Sequence, residues 1–134
     1  MAKNYRVFIS HSWSHIDDLK NLRNLLESRG YFNVEFQEST PSEPINSQNA
    51  GYIKSTLKSK ILNSDIVLGI AGMYASHSDW IEWELNTAYN NSIPVVGVIP
   101  RGQIKVSKIV TNYAKATVNW NTESIVEAIK IYSK

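Results

Sequence analysis

The sequence predicts an α/β fold: a five-stranded parallel sheet, order 2-1-3-4-5, between two helical layers, the flavodoxin-like three-layer sandwich. Three observations lead there. Strand-like and helix-like patterns alternate five times along the 134 residues, and parallel strands need such crossover helices. Residues 65–71, from Ile66 onward, and residues 94–99 are apolar on successive positions, as strands covered on both faces must be. The length suits one domain, 1–134, with a real core, and shows no internal repeat, linker or low-complexity tract.

Each element can be justified in order. Arg6 to Ser10 is a short apolar run read as the first strand, and it ends in the polar cluster Ser10-His11-Ser12. Ser14 is placed as an N-cap with Asp17 three residues on. Ile16, Leu19, Leu22 and Leu26 follow at helical spacing, and Gly30 is the stop. Residues 32–36 alternate apolar with Asn33 and Glu35, which suits an edge strand. Residues 38–49, with Pro41 and Pro44, form a loop long enough to be functional. A second helix spans 51–63, with Ile53, Leu57 and Ile61 inward. A third starts near Asp79 and ends near Asn90. A short one is expected over 103–112, a last strand over 116–120, and a last helix over 122–132 with Ile125, Ile129 and Tyr132 inward.

The third helix carries the strongest chemical signal. Ser78-Asp79-Trp80-Ile81-Glu82-Trp83-Glu84-Leu85 holds two tryptophans and three carboxylates. Asp79 reads as the N-cap, with Glu82 closing a capping box. At about 100° per residue, Ile81, Leu85 and Ala88 form an apolar stripe. Trp80 and Glu84 lie four apart beside it, and Trp83 is expected to face away. Glu84 should then sit at the border of core and solvent with an indole one turn before it. That environment suits a sugar ring, although the same pattern fits a helix with merely solvated glutamates. In a flavodoxin-like sheet, ligands bind at the carboxyl edge where the strand order reverses, here between strands one and three. Ser10, His11, Ser12 and Trp13 would line that crevice from strand one, residues 71–77 with His77 from strand three, and Glu38 with its loop would cover it. Both lines of argument converge on one place.

Several classes are excluded. Without cysteine there are no disulfides and no thiolate nucleophiles or metal ligands, and a reducing compartment fits. No GxGxxG follows strand one and no Walker motif exists. His11, His15 and His77 lack zinc-ligand spacing, so no metal is expected. Ser10, His77 and Asp79 could be drawn as a triad, but there is no nucleophile elbow. A phospho-acceptor receiver would need acids where Ser-His-Ser and Ala71-Gly72 stand. The net charge of +2 is scattered, and Lys54, Lys58 and Lys60 read as a solvated helix face, so no nucleic-acid partner is expected. The start lacks a signal-peptide run and no apolar stretch approaches the roughly 20 residues of a membrane span. The expected location is cytoplasmic.

Val7-Phe8-Ile9-Ser10-His11-Ser12 resembles the opening strand of TIR domains, and Asp79-Trp80 with Glu84 four residues after the indole resembles the active-site helix of TIR domains that cleave NAD. Residues 64–68 and 93–98 match the family's order before and after that helix. More narrowly, the chain resembles the TIR-like family that includes the ThsB proteins of bacterial Thoeris anti-phage defence, over roughly residues 5–132. The resemblance implies that Glu84 is the catalytic glutamate and Trp80 an aromatic near the substrate. It implies that Ser10, His11, Ser12 and Trp13 line the nucleotide cleft and that Glu38 or Ser39 contributes from the loop. Where many TIR domains carry basic residues, Ser12 and Trp13 stand here, which leaves backbone amides around 14–16 to hold a pyrophosphate.

The implied activity is that of an NAD nucleosidase or ADP-ribosyl cyclase, with NAD as substrate and no cofactor. Its product would be a cyclic or conjugated ADP-ribose that reaches an effector by diffusion. Self-assembly or a phage-derived activator is the implied regulation. Two alternatives stay open: a non-catalytic TIR-like interaction module, in which an outward Trp83 is a contact residue, and a nucleoside deoxyribosyltransferase-like enzyme.

Overall fold

The computed structural model describes residues 4–11, 16–30, 32–37, 48, 50–72, 78–100 and 106–134. The elements are β1 (Asn4–Ser10), α1 (Ile16–Glu27), β2 (Asn33–Phe36), α2 (Ala50–Leu62), β3 (Ile66–Ile70), α3 (Asp79–Asn90), β4 (Val95–Ile99), α4 (Lys108–Tyr113), β5 (Ala116–Asn119) and α5 (Thr122–Tyr132). The five strands are parallel and ordered β2-β1-β3-β4-β5, as the pattern predicts.

Side-chain parity sorts the core into two layers. Successive residues of a strand point to opposite faces. Val7 and Ile9 of β1, Ile66, Leu68 and Ile70 of β3, and Val96 and Val98 of β4 join α1 and α5. Phe8, Val67, Ala71 and Val95 join α2, α3 and α4 through Leu57, Ile61, Ile81, Leu85, Ala88 and Val110. All five residues of β3 are buried, which is why its sequence carries no polar alternation. The edge strands β2 and β5 do alternate. Arg23 lies 4.8 Å over the Phe36 ring and covers part of the β2 edge.

Glycines let α4 come close to the sheet. Gly69 of β3 and Gly97 of β4 are register partners on the α3–α4 side. A Cβ on Gly97 would meet Thr117 Cγ2 and Val110 Cγ1, both at 3.0 Å, and one on Gly69 would meet Val110 at 3.2 Å and Leu85 at 3.4 Å. Gly30, by contrast, is needed for its backbone: its φ of +73° ends the α1 turn as the sequence suggests.

Four sequence expectations need correction. The N-cap of α3 is Ser78, whose side chain accepts from the Ile81 N–H at 3.2 Å; Asp79 is the first helical residue and Glu82 closes no capping box with it. Glu84 does not sit at a border: it is buried inside the stripe of Ile81, Leu85 and Ala88. Trp83 does not face away but is half-buried, packed edge-on to Trp80 with ring centroids 6.0 Å apart. Positions three apart on a helix differ by only about 60° in direction, so the indoles can meet. The fourth helix begins only at Lys108, because Ser107 before it has an extended backbone; residues 103–105 lie outside the described ones. The Ser14 cap and the loop over 38–49, apart from Gln48, also lie outside them. Among the described residues, no helix is long and apolar enough to cross a membrane.

Candidate active site

β1 ends in a residue that its apolar predecessors do not predict to be buried. By parity Ser10 shares the Phe8 side of the sheet, the side covered by α3. Its register partner on β3 is Gly69, which has no side chain to occupy that space. Leu85, one residue after Glu84, packs against the same glycine. These three facts bring Glu84 to the tip of β1. Ser10 is 0 % exposed and Glu84 2 %. The Ser10 hydroxyl donates to Glu84 Oε1 at 2.6 Å, between residues 74 apart in sequence. The pair sits at the carboxyl edge, at the strand-order reversal between β1 and β3.

Burying a carboxylate is costly without partners, so the position invites a reason. A second carboxylate provides the contrast. Asp65, at the opposite end of β3, is also buried, and its partners are structural: the Arg6 backbone N–H at 2.9 Å and the Arg6 guanidinium at 3.4 Å. That pairing ties β3 to β1. Glu84 lies instead at the end of the sheet where α/β folds bind ligands.

An aromatic pair lies on the same helix as Glu84, and a histidine follows Ser10 on the chain. Trp80, half-buried one turn before Glu84, is wedged against Trp83. His11, 3 % exposed, donates from Nδ1 to the Ile9 carbonyl at 3.1 Å, since a carbonyl can only accept. Burial pushes its pKa below the ordinary 6.5, against the opposing pull of the Ile9 carbonyl and the Asp18 charge. His11 is therefore neutral at pH 7, a poor anchor for phosphate charge.

Of the residues singled out from the sequence, the structure joins Ser10 to Glu84 and sets Trp80 one turn before Glu84 on α3, whereas His11, next to Ser10 on the chain, bonds its own Ile9 carbonyl and feels Asp18 of α1. Ser12, Trp13, Glu38 and His77 lie outside the described residues, as do Ser39 and positions 14 and 15. Two open concavities among the described residues lie elsewhere. One of about 380 Å³ is lined by Asn4, Glu27, Phe32, Asn33 and Val34; the other, of about 340 Å³, runs between β5 and α5. Among the described residues no group of three or more metal-ligating side chains converges. What the sequence did not signal is the direct Ser10–Glu84 bond. Strand parity and Gly69 could have found it.

Comparison with known proteins agrees with this architecture. Residues 8–105 match the family model described as Thoeris protein ThsB, TIR-like domain. No curated protein sequence matches the chain. Among solved structures it is similar to a CMP N-glycosidase from Clostridium botulinum, at 12% identity and a TM-score of 0.57, covering 94% of this chain and 99% of that one. A 3-dehydroquinate dehydratase-like protein from Bifidobacterium longum is similar at 12% identity and a TM-score of 0.49, with 98% and 95% covered. At such identities the first likeness speaks for the fold alone.

Proposed function

The chain belongs to the Thoeris ThsB TIR-like family, and from that premise we propose that it cleaves the nicotinamide–ribose bond of NAD and passes on the ADP-ribosyl group as a nucleotide signal. The observation that carries the reading is the buried Glu84 carboxylate, held by Ser10 at the ligand-binding edge of the sheet.

The chemistry asks for little more. The nicotinamide of NAD is a cationic leaving group. When the C–N bond breaks, the electron pair leaves with nicotinamide, which becomes neutral, so no general acid is needed. Positive charge develops on the ribose, as in glycoside cleavage. A fixed carboxylate in a poorly hydrated site stabilises that charge more than water does. Glu84 supplies the carboxylate, and the Trp80–Trp83 pair supplies an aromatic wall on the same helix. Capture of the ribosyl cation by water gives ADP-ribose and a proton. Capture by a nucleophile held on the substrate or on a second molecule gives a cyclic or conjugated product. The family favours the second outcome, with the product reaching an effector by diffusion.

The test is mass spectrometry of nucleotide pools from phage-challenged cells that express the wild-type chain or Glu84→Gln. A new ADP-ribose derivative in the first and its loss in the second is the expected result. Identical pools would reject the proposal. CMP belongs in the parallel assay with purified protein, because a fold relative acts on it. Release of cytosine in place of nicotinamide would move the assignment to a nucleotide N-glycosidase.

A further inference from the structure

Ser10 stands at a position where a buried hydroxyl needs explaining. It is fully buried, and the core would accept an alanine there at lower desolvation cost. Its hydroxyl lies 2.6 Å from Glu84 Oε1, a short O–H···O bond that ties one oxygen of that side chain to the tip of β1. We propose that Ser10 is a positioning residue: its hydroxyl locks the rotamer of Glu84 and holds that side chain as a carboxylate. This rests on the reading of Glu84 as the catalytic acid group, and it gives Ser10 a role through Glu84 in place of contact with substrate.

The physical case has two parts. A glutamate has three side-chain torsions, and ordering them costs rotamer freedom. Fixing one oxygen to a strand removes that cost from the reaction step. Second, burial in general favours the neutral acid, while a donor against the oxygen favours the charged form. Stabilising an oxocarbenium ion needs the charged form. Both effects come from β1, which at Ser10 is paired with Gly69 of β3 and is a stiffer support than a loop.

Other charged groups around α3 must be weighed. Asp79 and Glu82 are exposed in its first turn, and Asn86 to Asn90 carry no charge. On α2, Lys54 and Lys60 are half-buried and Lys58 exposed; on α4, Lys108 is exposed. The facing residues of β3 and β4 are apolar or glycine. Among the described residues, the titratable one next to Ser10 in sequence is His11, whose charge partner is Asp18 of α1.

The test compares wild type, Ser10→Ala and Ser10→Cys, with folding checked by thermal unfolding. Ser10→Ala should lower kcat for nicotinamide release about tenfold or more, the value of a hydrogen bond to a charged group, with KM nearly unchanged. The acid limb of the kcat–pH profile should move to higher pH, because the donor to the charged form is gone. Ser10→Cys, similar in shape and a weak donor, should fall between. The carboxyl carbon of Glu84, followed by NMR titration in the same proteins, should move in the same direction; this separates it from His11. An unchanged titration and acid limb in Ser10→Ala would overturn the proposal, whatever happens to kcat. Should wild type release no nicotinamide, the NAD reading fails, and the titration still decides the role of Ser10.

Discussion

At the residue scale, the proposed chemistry rests on one carboxylate, that of Glu84. Glu84→Gln keeps an oxygen that can accept from Ser10, so the variant should unfold within about 1 kcal/mol of wild type by urea titration while losing nearly all turnover. A larger loss of stability would mean that the charge itself holds β1 to α3. His11 gives a pH signature. Its folded pKa is lowered by burial, so its contribution to stability is complete above the unfolded value near 6.5. That stability is lost as pH falls from there through the folded value, because the unfolded chain takes up the proton first. Urea titrations at pH 8 and pH 5.5 should show this loss in wild type. His11→Asn, whose amide can still donate to Ile9, should show less of it. Glu84 stood out in the sequence as an acid beside an apolar stripe at a helix start, a pattern that merely solvated glutamates also give. Its depth was not legible. A helical wheel gives direction around an axis, whereas burial depends on what the sheet offers opposite, here Gly69 and Ser10.

At the element scale, α3 and the sheet it rests on set the precision of the site. Ser78→Ala removes the donor's partner at Ile81 and should cost about 1 kcal/mol, read as a shift in the urea midpoint. Gly97→Ala should cost about 1–3 kcal/mol, since the added methyl would press on Thr117 and Val110, each 3.0 Å away. An unchanged midpoint in that variant would mean α4 yields freely. The central strands were plain in the sequence because burial on both faces leaves unbroken apolar runs. The start of α4 was not, because Ser107 precedes a six-residue helix without capping it, so the usual side-chain signal is missing. Trp83 was misread for a related reason: the stripe defines inside and outside, but an indole is long enough to fold back onto Trp80 from the flank.

At the scale of the whole molecule, strand order is the functional statement. The sequence pattern led to β2-β1-β3-β4-β5 because five alternations of this length leave few right-handed arrangements. That order alone creates the switch point that Ser10 and Glu84 occupy. The CMP N-glycosidase is similar in fold at 12% identity, and a fold by itself does not fix a substrate. The measurement that bears most directly on the central claim is release of nicotinamide from NAD by purified wild-type and Glu84→Gln proteins, alone and with extract of phage-challenged cells. Release by wild type in at least one condition, and its absence from the folded variant in both, is the predicted result. Equal release by the two proteins, or none by wild type in either condition, would contradict it.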